Sequence, residues 1–270
     1  LMNIFEAILL GFIQGITEFI PVSSSGHLEL AQHIFNIQSG DNFHLFLEFI
    51  NLGTLLALLI YFRKRIWRII KDVFENRNYK LAINIVITSI PAGLAGLLLS
   101  DFIENNSFFS SLITVSAAMG IVGLIMIFID YLPHMSELKN ENQLTPIRAL
   151  FIGLSQIFAL IPGTSRSGTT IITGRIVGLD SESSAEYSFL ASIPIMCGVC
   201  LKMFLSDTGR TYFAQNLGIL TLSNTIAFIV GLFALHYLLR YLKKPHSLQT
   251  FGRYRVIVSC LVLGTILILI

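Results

Sequence analysis

Charge is what this chain has least of. Only 13% of its 270 residues are Asp, Glu, Lys or Arg, while 54% are hydrophobic, and a soluble globular domain carries about a quarter charged residues. That shortage excludes a water-soluble globule and implies an all-α polytopic membrane protein, since helices satisfy their own backbone in lipid. Basic residues are absent before Arg63. The first apolar run thus lacks the basic flank of a cleavable signal peptide, is interrupted by Glu6, Gln14 and Glu18, and is expected to stay in the mature protein. The net charge of +2 gives no reason to expect nucleic acid as a partner. Cysteine is scarce too. Cys197 and Cys200 form a C-x-x-C, but they lie in an apolar segment without a charged neighbour to stabilise a thiolate, and Cys260 stands alone; neither a disulfide nor a redox pair is expected.

What is present is a series of apolar runs. Six are long enough to cross a bilayer: 45–62, 81–100, 111–131, 185–205, 217–241 and 254–270. Pro91 and Pro194 fall inside two of them, where membrane helices tolerate a kink. Two more runs, 4–20 and 149–161, are short or polar-interrupted and end at a proline followed by a polar turn, which reads as re-entrant helix pairs. Basic residues concentrate in 63–80, at Lys139 and Arg148, and from Arg240 through Arg253 and Arg255, while 101–110 and 206–216 hold only Arg210. By the positive-inside rule the first three connections are cytoplasmic. Arg166 and Arg175 are left over and are assigned to the second polar turn. The layout gives one membrane domain, 1–270, built as an inverted repeat of 1–131 and 147–270, each a re-entrant pair followed by three spans. Internal similarity agrees: Gly11 and Gln14 match Gly153 and Gln156, and Ser24 and Ser165 each stand three residues after their proline, an alignment that needs a one-residue gap. The two tips are expected to meet near the bilayer midplane.

The chemistry sits in those tips. Glu18, Ser23, Ser24, Ser25, Gly26 and His27 crowd the first, and Gly163, Thr164, Ser165, Arg166, Ser167 and Gly168 the second. A serine-rich turn that opens a helix offers free N–H groups and the positive helix end to an anion. Arg166 adds a fork for phosphate oxygens; the blander role, pairing with Glu18 to hold the tips together, is compatible with it. Glu18 and His27 are the acid–base candidates, and Ser24 the candidate nucleophile. Gln14 shares a helical face with Glu18 and could bind a metal or a substrate oxygen. Glu29, Glu48 and Asn51 are weaker candidates, and His33 and His44 lack comparable neighbours.

Q-G-I-T-E-F-I-P-V-S-S-S-G-H from Gln14 to His27, together with P-G-T-S-R-S-G from Pro162 to Gly168, resembles the bacterial undecaprenyl-diphosphate phosphatase family of the bacitracin-resistance type, over essentially the whole chain. The family's first motif is (E/Q)-x-x-x-E, so Gln14 is an allowed variant, and its F-x-x-x-I-Q-L-G appears as Phe46 to Gly53 with Asn51 in place of Gln. The resemblance implies hydrolysis of a polyprenyl diphosphate to the monophosphate carrier of cell-wall synthesis, assisted by a divalent cation, Mg²⁺ or Ca²⁺, with Glu18 and Gln14 as its ligands. It also implies a multi-pass protein of the bacterial cytoplasmic membrane among membrane lipids, with the site facing outside. The oligomeric state, a homodimer included, stays open at this point. The rival reading is a transporter or flippase of a polyprenyl phosphate lipid, because broken helices in inverted repeats are a transporter architecture.

Overall fold

The computed structural model describes residues 2–38, 40–104 and 106–269; Ile270, at the end of the last expected span, and Asn105, within the 101–110 connection, lie outside them. Among the described residues the chain is all helical. The first half comprises α1 (Ile4–Thr17), α2 (Ser24–Ile34), α3 (Asp41–Phe49), α4 (Asn51–Tyr61), α5 (Arg63–Phe74), α6 (Lys80–Glu104), α7 (Ser107–Ser110) and α8 (Leu112–Phe128). The second comprises α9 (Pro146–Ser155), α10 (Arg166–Ile176), α11 (Ser181–Leu205), α12 (Asp207–Gln215), α13 (Leu217–Leu242) and α14 (Ser247–Leu269).

Six stretches among the described residues are long and apolar enough to cross a membrane: Asn42–Tyr61, Lys80–Ser100, Leu112–Tyr131, Ser181–Leu205, Leu217–Leu242 and Ser247–Ile268. These are the six expected spans with shifted ends, and Pro91 and Pro194 sit inside continuous helices. The short apolar helices are Ile4–Thr17 and Pro146–Leu160, the latter finishing as a 3₁₀ turn over Gln156–Leu160. The largest boundary error is at the last span, which begins at Ser247 rather than 254. Arg253 and Arg255 are therefore helical residues and not part of a connection, and Arg255 is completely buried. Its two-residue offset from Arg253 turns it by about 200° to the opposite helix face.

Glycines set how each short helix is held. A Cβ on Gly11 of α1 would lie 2.6 Å from the Ser223 carbonyl oxygen of α13, and one on Gly153 of α9 would lie 2.6 Å from the Thr88 carbonyl oxygen of α6. Each short helix thus packs backbone to backbone on the second span of the other half, the close approach that small residues allow in membrane helices. α8 and α14, the third spans of the two halves, pack against each other. One apolar core, with Phe19, Leu58, Met126, Phe189 and Leu235, joins elements of both halves.

Candidate functional site

The two turns have the same backbone. Ser23 (φ 77°, ψ 97°) caps α2 and Ser165 (φ 76°, ψ 116°) caps α10, in a left-handed region that costs a non-glycine residue about 1–3 kcal/mol and occurs mainly at functional sites. Ser23 Oγ accepts from the Gly26 amide at 3.2 Å, as Ser165 Oγ does from Gly168 at 3.1 Å. Ser23 and Ser25 hydroxyls lie 3.2 Å apart, and so do those of Ser165 and Ser167. α2 and α10 each have 11 residues and end alike, at the positive-φ Asn36 and Gly178. At one constant spacing Gln14 therefore falls on Gln156, Ser23 on Ser165 and Ser24 on Arg166. The one-residue gap expected from the prolines is not needed, because Pro21 is equivalent to Gly163 rather than to Pro162. The candidate nucleophile and the candidate anion fork occupy one position in two copies of the turn.

The tips touch. Ser24 donates its hydroxyl proton to Glu18 Oε2 at 2.7 Å, and Glu18 Oε1 is ion-paired with Arg166 from the other turn. Gln14, buried behind them, donates to Glu18 Oε2 at 3.1 Å, to Asn51 Oδ1 at 2.9 Å and to Thr54 Oγ1 at 3.5 Å. The Gly163 amide reaches Ser25 Oγ at 3.4 Å. Of the Arg166 guanidinium, only Nη2 has protein partners among the described residues, Glu18 and Met196 Sδ, and the side chain is 24% exposed. Its remaining N–H groups, and the first amides of α2 and α10, which have no intrahelical acceptor, are donors available at the two turns.

Two expected neighbours are elsewhere. His27 does not meet Ser24 or Glu18. Its Nδ1 lies 2.8 Å from the Ser23 carbonyl, which can only accept, so Nδ1 carries a proton, and in the neutral ring Nε2 accepts from the Tyr254 hydroxyl at 2.7 Å. Arg175 does not belong to the turn: it sits in the last turn of α10 and pairs with Asp130 at 3.2 Å. Conversely, Asn51 proves to be part of the Gln14–Glu18 network. Arg255 was assigned to a connection, yet its Nη1 donates to the Pro21 carbonyl at 3.1 Å, its Nη2 to those of Gly163 at 2.8 Å and Thr164 at 3.0 Å, and its Nε to that of Met119 at 3.1 Å. One buried guanidinium from α14 thus fastens both turns and the span that runs beside them.

The implied cation ligands do not make a resident metal site. Both Glu18 oxygens are committed, to Arg166 and to Ser24 with Gln14, a guanidinium stands where a cation would be repelled, and no group of three or more His, Cys, Asp or Glu suited to a metal occurs among the described residues.

The fold and the site together define a polytopic membrane protein in which two polar turns meet through Glu18, Ser24 and Arg166. The family model described as bacitracin resistance protein BacA matches residues 7–261, and the chain belongs to that family. It is 35% identical to undecaprenyl-diphosphatase 1 of Clostridioides difficile (strain 630), covering 98% of this chain and 96% of the relative. It is 34% identical to an undecaprenyl-diphosphatase of Streptococcus thermophilus (97% and 93% covered) and 35% to one of Flavobacterium johnsoniae (97% and 96%).

Proposed function

We propose that this chain hydrolyses undecaprenyl diphosphate to undecaprenyl phosphate and inorganic phosphate, returning the lipid carrier to peptidoglycan synthesis, with bacitracin resistance as the consequence in the cell. The observation that carries this reading is the Ser24 hydroxyl donating to Glu18, itself held by Arg166 from the opposite turn, which is the nucleophile–base–orienter arrangement of covalent catalysis. An entering diphosphate competes with Glu18 for Arg166 and frees the carboxylate to take the Ser24 proton. Ser24 Oγ then forms a bond to the terminal phosphorus as the bond from that phosphorus to the bridging oxygen breaks, and undecaprenyl phosphate leaves. Glu18 releases the Ser24 proton to bulk water as the lipid leaves; a water then attacks the phosphoserine phosphorus, its proton passing through Glu18 to Ser24 Oγ as the Oγ–P bond breaks and inorganic phosphate departs. Arg166 and the helix-start amides stabilise the charge on the transferring group. His27, bonded to Tyr254, steadies the α2 turn. A carrier or flippase would need the anion donors but not a hydroxyl hydrogen-bonded to a carboxylate. Purified protein in detergent should release phosphate from undecaprenyl diphosphate, and Glu18→Gln should abolish the release; undiminished turnover by Glu18→Gln would remove the carboxylate base.

Arg166→Lys separates a fork from a point charge. A lysine keeps the charge but cannot offer phosphate oxygens two parallel N–H bonds, so kcat/KM should fall about a hundredfold, as for loss of one charge-stabilising donor. Near-normal turnover would reduce Arg166 to general electrostatics.

The site is proposed to open to the outer face of the cytoplasmic membrane, on the strength of the basic connections. Cysteines placed in 63–80 should be protected from an impermeant maleimide in intact cells, and cysteines in 101–110 should react. Labelling of 63–80 from outside would reverse the orientation.

A further inference from the structure

The α5 helix takes no part in the site, and none of its residues is buried. It follows α4 after Phe62 and precedes α6, so it lies at the membrane surface where one span leaves and the next enters. At 100° per residue its side chains sort into three stripes. Ile66 and Ile69 turn inward and pack on the apolar core. Beside them Trp67, Ile70 and Phe74 share a second stripe that no other element covers; Trp67 is 68% and Phe74 81% exposed. The third stripe, bordering the second, holds Lys64, Arg68 and Lys71, all exposed. Ion pairs of α5 among the described residues are Arg65 with Glu141 and Lys71 with Glu75, which leaves Lys64 and Arg68 without an acidic partner.

An aromatic and aliphatic stripe edged by exposed cations, two of them without an acidic partner among the described residues, fits a bilayer interface whose headgroups are negative: the rings enter the headgroup boundary and the ammonium and guanidinium groups meet phosphates. We infer that α5 is a docking surface for anionic phospholipid headgroups. The choice of occupant follows from charge complementarity and from continuity with the adjoining spans, which place the stripe at headgroup depth. The inference is independent of the reaction proposed above.

Trp67 is the only tryptophan in the chain, so its emission reports α5 directly. The full-length protein should be reconstituted in phosphatidylcholine vesicles doped with either brominated phosphatidylglycerol or brominated phosphatidylcholine. Trp67 should be half-quenched at a mole fraction of the brominated anionic lipid about threefold or more below that of the zwitterionic one, since each basic residue adds to the attraction. Lys64→Gln, Arg68→Gln and Lys71→Gln combined should equalise the two lipids, while the charge-keeping set Lys64→Arg, Arg68→Lys and Lys71→Arg should keep the preference. Equal quenching in the wild type would overturn the anionic selectivity. Absence of quenching by either lipid would show that a protein surface, such as a second copy of the chain, covers the stripe, and would overturn the docking surface itself.

Discussion

Ser24→Ala should lower kcat for undecaprenyl diphosphate by on the order of 10⁴-fold or more, because it removes the atom that forms the covalent bond. The neighbouring hydroxyls provide the scale for comparison. Ser25 touches the Gly163 amide and Ser23 caps α2, so each replacement by alanine removes hydrogen bonds only and should cost about 10- to 100-fold. Among the three, Ser24 alone donates to Glu18. Single-turnover assays with rapid acid quench should trap a phosphoserine on the wild type and none on Ser24→Ala. Similar, modest losses in all three variants, with nothing trapped, would leave direct attack by a water activated by Glu18.

Arg255→Lys should also be strongly damaging although Arg255 touches neither Ser24 nor Glu18. Its guanidinium spans four carbonyls on three segments, and a lysine ammonium has three donors on one atom, which cannot hold Pro21 and Thr164 together while reaching Met119. Turnover should fall about a hundredfold or more, the scale of a misplaced catalytic group, while thermal unfolding in detergent moves by only a few degrees. Arg255→Met takes the guanidinium donors from the Pro21, Gly163 and Thr164 carbonyls and should also lower the melting temperature, at about 1–3 kcal/mol for each buried acceptor left unpaired. Normal turnover by Arg255→Met would show that the turns hold their shape unaided.

The contrast between these two residues shows how far the sequence can be read. The Ser24–Glu18 contact is legible because its neighbours announce it: a glutamate, three serines and a glycine between apolar runs have no packing purpose in lipid. The spans were legible from hydropathy alone. Arg255 was not, since its partners are main-chain carbonyls up to 234 residues away, and a carbonyl leaves no mark on the sequence. Its only signal was that a second arginine, two positions after the first, would turn to the opposite face of a helix extended to Ser247. The prolines hide the register of the two turns, because Pro21 and Pro162 are not equivalent, whereas the turn backbone is set by Ser23 and Ser165, which accept the Gly26 and Gly168 amides. His27 stands three residues from Ser24, yet its ring is taken up by its own turn and by Tyr254, a partner that proximity along the chain could not indicate.

The origin of Arg255 in α14 also fixes when the centre can exist. The first tip emerges from the ribosome early in synthesis and the second tip midway, but the residue that fastens them is threaded into the bilayer only with the final helix. Until that insertion the two tips have the Glu18–Arg166 pair between them but lack the guanidinium that fixes their carbonyls. On the proposed reading, a chain stalled before its last span lacks the guanidinium that binds Pro21, Gly163 and Thr164 together and should turn over more slowly than the full-length protein.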